Sequence, residues 1–526
     1  MPMSVTSNRN MIQKARFCFF IVLLLSYDSG VAKTPLDLLG DNWLEVKTDN
    51  FHLITDLKQE HAKNFAKDLE QFRFFFLQLS NVKMKEDISP LKVFALANSS
   101  SYKAFKLQKN SAGIFLHRPT GNFAVANMSG YRPGNKKQNF AQQVLRHEYV
   151  HFVFDNSYND VASPRWYQEG MAEFLSTLRV VNGVLHYGEI NASRLASVDF
   201  DKKIDLEALL KADRIPESRL RGNDYYAHAL TLIHYCNFHS GMEDKLLKYL
   251  KMLSQGDSVD TAFVGAFETD YETLGNEIRN YLRKKKFDYY KYEQEKPYLI
   301  GNIEISALSP ELLAFYFGEL MVANGLDGED ERGTAISLLE KSLQNKGQET
   351  GPAWLHLFHI QMDRGNLDAA ESIFYRMEEE IPGYPGTYDA EADLFANKME
   401  ELLKLNDPEW RTYFELARGK YRTAIQLDKA FLPAYLGLGN IYFNNIDGDI
   451  SLAEGISAFS EVTHFLNYPY FDYQYAVLLM RYGRSIAARN MLTKVIARTP
   501  DEKLAEIARN LKLGLFINNA ETDSDL

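Results

Sequence analysis

The segment RHEYVHFVFDN, Arg146 to Asn156, places His147 and His151 four positions apart and Glu148 beside the first histidine. Residues i and i+4 of a helix share a face, so both imidazoles can reach one cation. A carboxylate adjoining the first can take a proton from water on an open coordination position. Two histidines falling by chance on one helical face would give the same five letters, so the pattern needs a third ligand to decide it. Glu169 follows His151 by eighteen positions, in PRWYQEGMAEFLS (Pro164 to Ser176). That stretch opens after a proline and has helical period, which fits a second helix facing the first.

HExxH followed by Trp166, Glu169, Gly170 and Ala172 resembles the gluzincin metallopeptidases, the thermolysin and aminopeptidase-N group, whose second helix carries W-x-x-E-G-x-A. The resemblance implies one zinc ion per chain, held by His147, His151 and Glu169, with Glu148 as the general base. The spacer to the glutamate is one residue shorter than in the aminopeptidase branch. Glu173, four positions past Glu169, shares its face and is expected to hydrogen-bond the second nitrogen of a ligand histidine. The two glutamates could also exchange roles. The tyrosine that stabilises the oxyanion in this group is matched by Tyr226 in DYYAHALTLIHYC (Asp224 to Cys236), with Ala229 three later. Tyr225 is the alternative, and His228 stands where the aminopeptidase branch has lysine. His234 reads as structural. GNFAVANM (Gly121 to Met128) is similar to the edge strand that binds the substrate backbone; it lacks the glutamate that recognises a free N-terminus, which implies endopeptidase rather than aminopeptidase action.

These groups need elements to hold them. NWLEVKTDNFHLITDL alternates as a half-buried strand, and Phe65, Leu69, Phe72 and Phe76 mark a helix after it. LKVFALA and GNFAVANM are further strands, so 33–138 reads as an α+β lobe. Residues 139–300 are mainly helical, interrupted by NSYNDVASPR and a hairpin LRVVNGVLHYGEI turning at Asn182 and Gly183. From 301 to 516 the chain repeats itself: Gly365/Gly483, Ala370/Ala488, Phe374/Leu492, Met377/Val495 and Pro382/Pro500 fall at identical offsets. Further copies lie at Ala335 and Leu339, at Ala417, Tyr421 and Ala424, and at Gly455, Phe459 and Val462, with spacings of 33 and 35 residues between matching positions. This pattern resembles the tetratricopeptide repeat. The expected fold is an α+β N-terminal lobe plus a mainly helical zincin catalytic lobe, followed by an all-α tetratricopeptide-repeat solenoid, with a disordered tail over 517–526. The first two parts resemble the peptidase-MA-like metallohydrolases, which often carry such repeats behind the zinc domain.

A chain of 526 residues, 45% hydrophobic and 25% charged, is long enough for two or three packed domains. Its net charge is −11, or −13 without the first 32 residues, which argues against nucleic acid or anionic lipid as the main partner. Basic residues, the apolar run FCFFIVLLLSY and the small residues SGVA predict a signal peptide over 1–32, too short for a comfortable membrane span. Its removal would leave Cys236 as the single cysteine, with no intrachain disulfide and only nitrogen and oxygen ligands for a metal. The expected protein is exported, to the periplasm or the medium, without a stable membrane span after cleavage. It hydrolyses peptide or protein substrates while the repeats bind a protein partner. The competing expectation is a non-catalytic envelope scaffold acting through the repeats, with a structural or regulatory zinc lobe.

Overall fold

The structure, a computed structural model, describes residues 33–522 except 81, 86–88, 108–112, 119, 134–139, 158–163, 182–183, 191–203, 212–222, 256, 284–286, 294–297, 299–300, 445–449, 466–467 and 500–501. The predicted signal peptide lies outside the described residues, as do the turn at Asn182 and Gly183 and Pro500.

The first alternating run divides into two strands. Leu44–Lys47 (β1) and Phe51–Thr55 (β2) pair antiparallel, because the polar Thr48, Asp49 and Asn50 turn the chain between them. The turn is held by Thr48 Oγ1, which accepts from the Phe51 N–H at 3.0 Å, and by Glu70, which accepts from the Asn50 N–H at 3.0 Å. Glu70 belongs to α1 (Gln59–Ser80), whose Phe65, Leu69, Phe72 and Phe76 are buried as their spacing predicts. Each such phenylalanine contributes about 1.5–3 kcal/mol through its removal from water.

Strand β3 (Leu91–Leu96) lies parallel to β2, and β5 (Gly121–Asn127) lies parallel to β3. Between β3 and β5 in the chain come a short helix α2 (Ser99–Ala104) and β4 (Gly113–Arg118), which pairs antiparallel with β5. The sheet, completed by β9 (Glu304–Ala307) beside β1, has the order β4-β5-β3-β2-β1-β9. This corrects the edge-strand expectation: β5 is flanked on both sides, and β4 is the outermost strand on that side among the described residues. Gly121 to Met128 therefore cannot accept an added backbone, because its hydrogen-bonding groups already pair with β3 and β4.

The period of two divides the sheet between two cores. Leu53, Val93, Ala95, Ala124 and Ala126 pack with α1 and with α3 (Phe140–Asp155), α4 (Arg165–Leu175) and the helices after them. Those are α5 (Leu206–Leu210), α6 (Asn223–Phe238), α7 (Met242–Ser254), α8 (Val259–Phe267) and α9 (Tyr271–Arg283). A three-stranded antiparallel sheet of β6 (Arg179–Val181), β7 (Val184–Tyr187) and β8 (Tyr290–Glu293) stands among them. The alternate residues Ile54, Phe94, Leu96, Phe123 and Val125 point the other way, into one core with α10 (Pro310–Asn324), α11 (Glu329–Ser342), α12 (Thr350–Asp363), α13 (Leu367–Glu380) and the start of α14 (Pro385–Lys404).

Helices α10 onward form tetratricopeptide-like hairpins, continuing as α15 (Trp410–Leu427), α16 (Leu432–Asn444), α17 (Ala453–Phe465), α18 (Pro469–Arg481), α19 (Ser485–Arg498) and α20 (Glu502–Thr522). The aligned copies are structurally equivalent. Gly365 and Gly483 both end a first helix with left-handed φ, 68° and 83°. Ala370, Ala488, Met377, Leu492 and Val495 are fully buried and Phe374 nearly so, as are Ala417, Tyr421, Ala424, Phe459 and Val462 of the intermediate copies. Because residues 304–307 extend the N-terminal sheet, the first repeat helix opens at Pro310, capped by Ser309, rather than at 301. The tail expected to be disordered from 517 is helical to Thr522, since Leu511 and Leu515 hold α20 on the last repeat and the helix continues past them. Among the described residues no helix is long and apolar enough to cross a membrane.

Candidate metal centre

Helix α3 is buried through Leu145, Tyr149, Val150, Phe152 and Val153, which turns His147 and His151 towards α4. Its position is fixed next to the motif by Arg146, whose Nη2 donates to both oxygens of Asp68 on α1 (2.6 and 2.7 Å) and whose Nη1 donates to the Leu178 carbonyl (2.6 Å). Helix α4 begins after Pro164 and buries Trp166, Ala172, Phe174 and Leu175. It crosses α6 at Gly170, where an added Cβ would lie 2.7 Å from Ile233 Cγ1 and 2.8 Å from the Ala229 carbonyl oxygen. Only glycine permits so close an approach. The glycine and alanine of the second motif are thus packing residues that bring Glu169 up to α3.

The three sequence-predicted ligands converge. His147 Nε2 lies 3.2 Å from His151 Nε2 and 3.2 Å from Glu169 Oε2, and His151 Nε2 lies 3.3 Å from the same oxygen. A tetrahedral ion with bonds near 2.1 Å requires edges of about 3.4 Å, so this nearly equilateral triangle has the size of one face of a zinc site. The donor set also fits: a neutral imidazole pair offers a single N–H between facing nitrogens, whereas a cation satisfies both nitrogens and the buried carboxylate together. The histidine side chains are 14% exposed and Glu169 is 1% exposed, so access is from the histidine side.

Charge around the triangle is negative. Burial opposes protonation of His147, but Glu169, Glu173 and Glu148 outweigh it and carry its pKa to about 9. Burial likewise would raise the Glu169 carboxyl, yet Arg165 and the two histidines hold it well below the usual range. Arg165 Nη2 stands 2.5 Å from Glu169 Oε1, one helical turn back, which orients the carboxylate. The sequence motifs do not single out this partner, although its i,i+4 spacing is legible. Glu173 Oε1 is 3.4 Å from His147 Nδ1, so of the two glutamates Glu169 joins the triangle and Glu173 faces the far nitrogen of His147. Glu148 follows His147 on α3, half-buried.

Of the tyrosine pair on α6, Tyr226 is half-buried with its ring 6.3 Å from that of His147, while Tyr225 is fully buried in the core. The structure therefore brings Tyr226, and not Tyr225, to the histidine face. His228 Nδ1 donates to the Asp224 carbonyl at 2.5 Å, and burial lowers its pKa. His234 is in the core: its Nε2 donates to the Asp288 carbonyl (3.1 Å) and its Nδ1 accepts from Tyr281 (2.8 Å). Cys236 is buried, which pushes its thiol up and leaves it unreactive.

No family model matches the chain, and no curated protein matches it. Among solved structures the chain is similar to a thermophilic TPR protein of Thermus thermophilus, at 18% identity, covering 39% of this chain and 99% of that one with a TM-score of 0.31. It is similar also to YrrB, a TPR protein with an unusual peptide-binding site, at 20% identity over 38% of this chain and 92% of that one, TM-score 0.22. Yeast Tom70 matches at 11% identity over 74% of this chain and 76% of that one, with a TM-score of 0.30.

Proposed function

We propose that the chain is a zinc-dependent peptidase of gluzincin type whose helical repeats engage a protein substrate or partner. The observation that carries the catalytic part is the triangle of His147, His151 and Glu169, with Glu148 next to His147 on the same helix. A zinc ion bound there would supply a Lewis acid for water and for the scissile carbonyl. Glu148 then accepts the proton of the attacking water and delivers it to the leaving amine. The Tyr226 hydroxyl donates to the developing oxyanion. Glu173 holds the Nδ1 proton of His147, presenting Nε2 as a lone pair. Strand β4 packs on α3 beside β5, with the Phe115 and Phe152 rings 6.0 Å apart, and as the outermost strand on that side among the described residues it, rather than β5, forms the margin of the sheet near the zinc helix.

A second reading, a repeat-mediated interaction protein without catalysis, is favoured by the repeats themselves and by a cavity of about 480 Å³. Lys47, His52, Lys92, Tyr316 and Phe431 are among its lining residues, so it joins the sheet to the repeats. Export of the chain belongs to both readings.

The test is elemental analysis of the purified protein together with hydrolysis of a mixed fluorogenic peptide library. One zinc bound through this triangle should be lost in Glu169→Ala. Glu148→Gln should keep that zinc and lose about 10²–10⁴ of the hydrolytic rate. Zinc binding that is indifferent to Glu169, or turnover that survives in Glu148→Gln, defeats the peptidase reading and leaves the interaction role.

A further inference from the structure

The repeats contain a second convergence of ligand atoms, on different helices from the first. His359 on α12 and Asp389 and Asp393 on α14 present one atom each within 4.8 Å of one another. His359 Nε2 is 3.1 Å from Asp393 Oδ2 and 3.9 Å from Asp389 Oδ2, values that bracket the edge of about 3.4 Å expected for a tetrahedral ion with bonds near 2.1 Å. Asp389 and Asp393 are one turn apart, so both carboxylates leave α14 on the face turned to α12.

Asp389 is 2% exposed, and its Oδ1 is buried with no hydrogen-bond partner among the described residues. A carboxylate removed from water with one oxygen unsatisfied is costly, and it is buried here beside a second carboxylate. Its pKa is pushed well above the usual carboxylate range, by burial and then by Asp393. Asp393 is oriented from behind, since its Oδ1 accepts from the buried Tyr421 hydroxyl of α15 at 2.5 Å, leaving Oδ2 for the shared point. The His359 side chain is 33% exposed, which gives the cluster an entrance and a coordination position for water.

We propose that His359, Asp389 and Asp393 form a second divalent-cation site, within the repeats, that clamps α12 to α14. One imidazole and two carboxylates suit a first-row ion such as zinc better than calcium, which takes six to eight oxygen ligands, or magnesium, which needs near-ideal octahedral oxygen geometry. The bound cation neutralises the two carboxylates and fixes the angle between successive hairpins. Tyr384, at the entry to α14, lines the cavity between sheet and repeats, so the clamp also sets one wall of that cavity.

The test uses the full chain, stripped with chelator and dialysed against zinc ion alone, in a His147→Ala, Glu169→Ala background that removes the first centre. That background is expected to retain one zinc per chain, and Asp389→Asn or His359→Gln is expected to reduce it to none. The unfolding temperature supplies a second readout. With chelator present Asp389→Asn should equal or exceed its parent, because it removes a buried carboxyl group that crowds Asp393; with zinc present the order should reverse. His359→Gln, at a partly exposed position, keeps the test open if the Asp389 variant fails to fold. No zinc in the double-variant background, zinc unaffected by both substitutions, or destabilisation by Asp389→Asn equal in chelator and zinc would each overturn the proposal. Because the first centre is absent throughout, this result is independent of whether the chain is a peptidase.

Discussion

Gly170→Ala isolates the helix crossing that brings Glu169 to the histidines. The new Cβ would sit 2.7 Å from Ile233 Cγ1, 2.8 Å from the Ala229 oxygen and 3.0 Å from the Ala229 carbon. Ile233 can change rotamer, but the Ala229 carbonyl is helix backbone and can move only with α6. Recovering ordinary contact near 3.4 Å therefore separates α4 and α6 by about 0.5 Å, and overpacking of this kind costs about 1–3 kcal/mol. Alanine recovers about 1 kcal/mol of helix propensity over glycine, and since rigid backbone puts the overpacking at the upper end of its range, about 3 kcal/mol, the net loss is about 2 kcal/mol. For a cooperative unit of 150–250 residues this lowers the melting temperature by about 4–8 °C. The same shift displaces Glu169 from a triangle whose edges are 3.2–3.3 Å, so zinc retained after dialysis should fall as well. Differential scanning calorimetry and elemental analysis of the same preparation provide the measurement. An unchanged or raised melting temperature would refute the claim that α6 meets α4 at this glycine.

Tyr226→Phe should lower kcat by about 10²–10³ while leaving zinc in place, whereas Tyr225→Phe should act on stability; equal kcat losses would remove the distinction between the two. Asp68→Ala leaves the buried Arg146 guanidinium with the Leu178 carbonyl as its hydrogen-bond acceptor among the described residues and the Phe72 ring beneath it, and urea titration should show a loss of about 3 kcal/mol. A loss below about 1 kcal/mol would mean water replaces the carboxylate. Burial depresses the His234 pKa to about 4 from 6.5, so the histidine is neutral in the fold. Its contribution is present above pH 6.5 and is lost as pH falls from 6.5 to 4, by about 3 kcal/mol. His234→Gln should flatten the stability curve across that window; an unchanged slope would assign the acid sensitivity elsewhere.

Legibility in the sequence follows distance along the chain. His147, Glu148 and His151 share one helix, and Glu169 comes from the next, so helical period and one proline place them on neighbouring helices, and the resemblance to the gluzincin motifs singles them out. The repeat frame is legible because identical offsets place Gly365 and Gly483, or Ala370 and Ala488, in the same structural roles. Strand β4 is not, because six residues beginning with a glycine carry too little alternation, and without it β5 reads as an edge. Strand β9 is hidden for a different reason. Its four residues gain their strand character from pairing with β1, more than two hundred and fifty positions away. The cluster of His359, Asp389 and Asp393 has no fixed spacing to detect, since its histidine and its carboxylates meet only when two hairpins stack.

The central sheet packs on both faces, with the helices that carry His147, His151 and Glu169 against one and the opening repeats against the other. Lys92 on β3 reaches across to Glu319 of α10 at 2.6 Å, and Glu45 on β1 accepts from Tyr316 of the same helix at 2.8 Å. The sheet is therefore a common wall, and neither half keeps a complete hydrophobic interior when separated from the other. Proteolysis between β9 and α10 would leave two fragments that remain associated, and a tug on the repeats by a tethered partner would be felt as shear along β1, β2 and β3, one layer from the histidines.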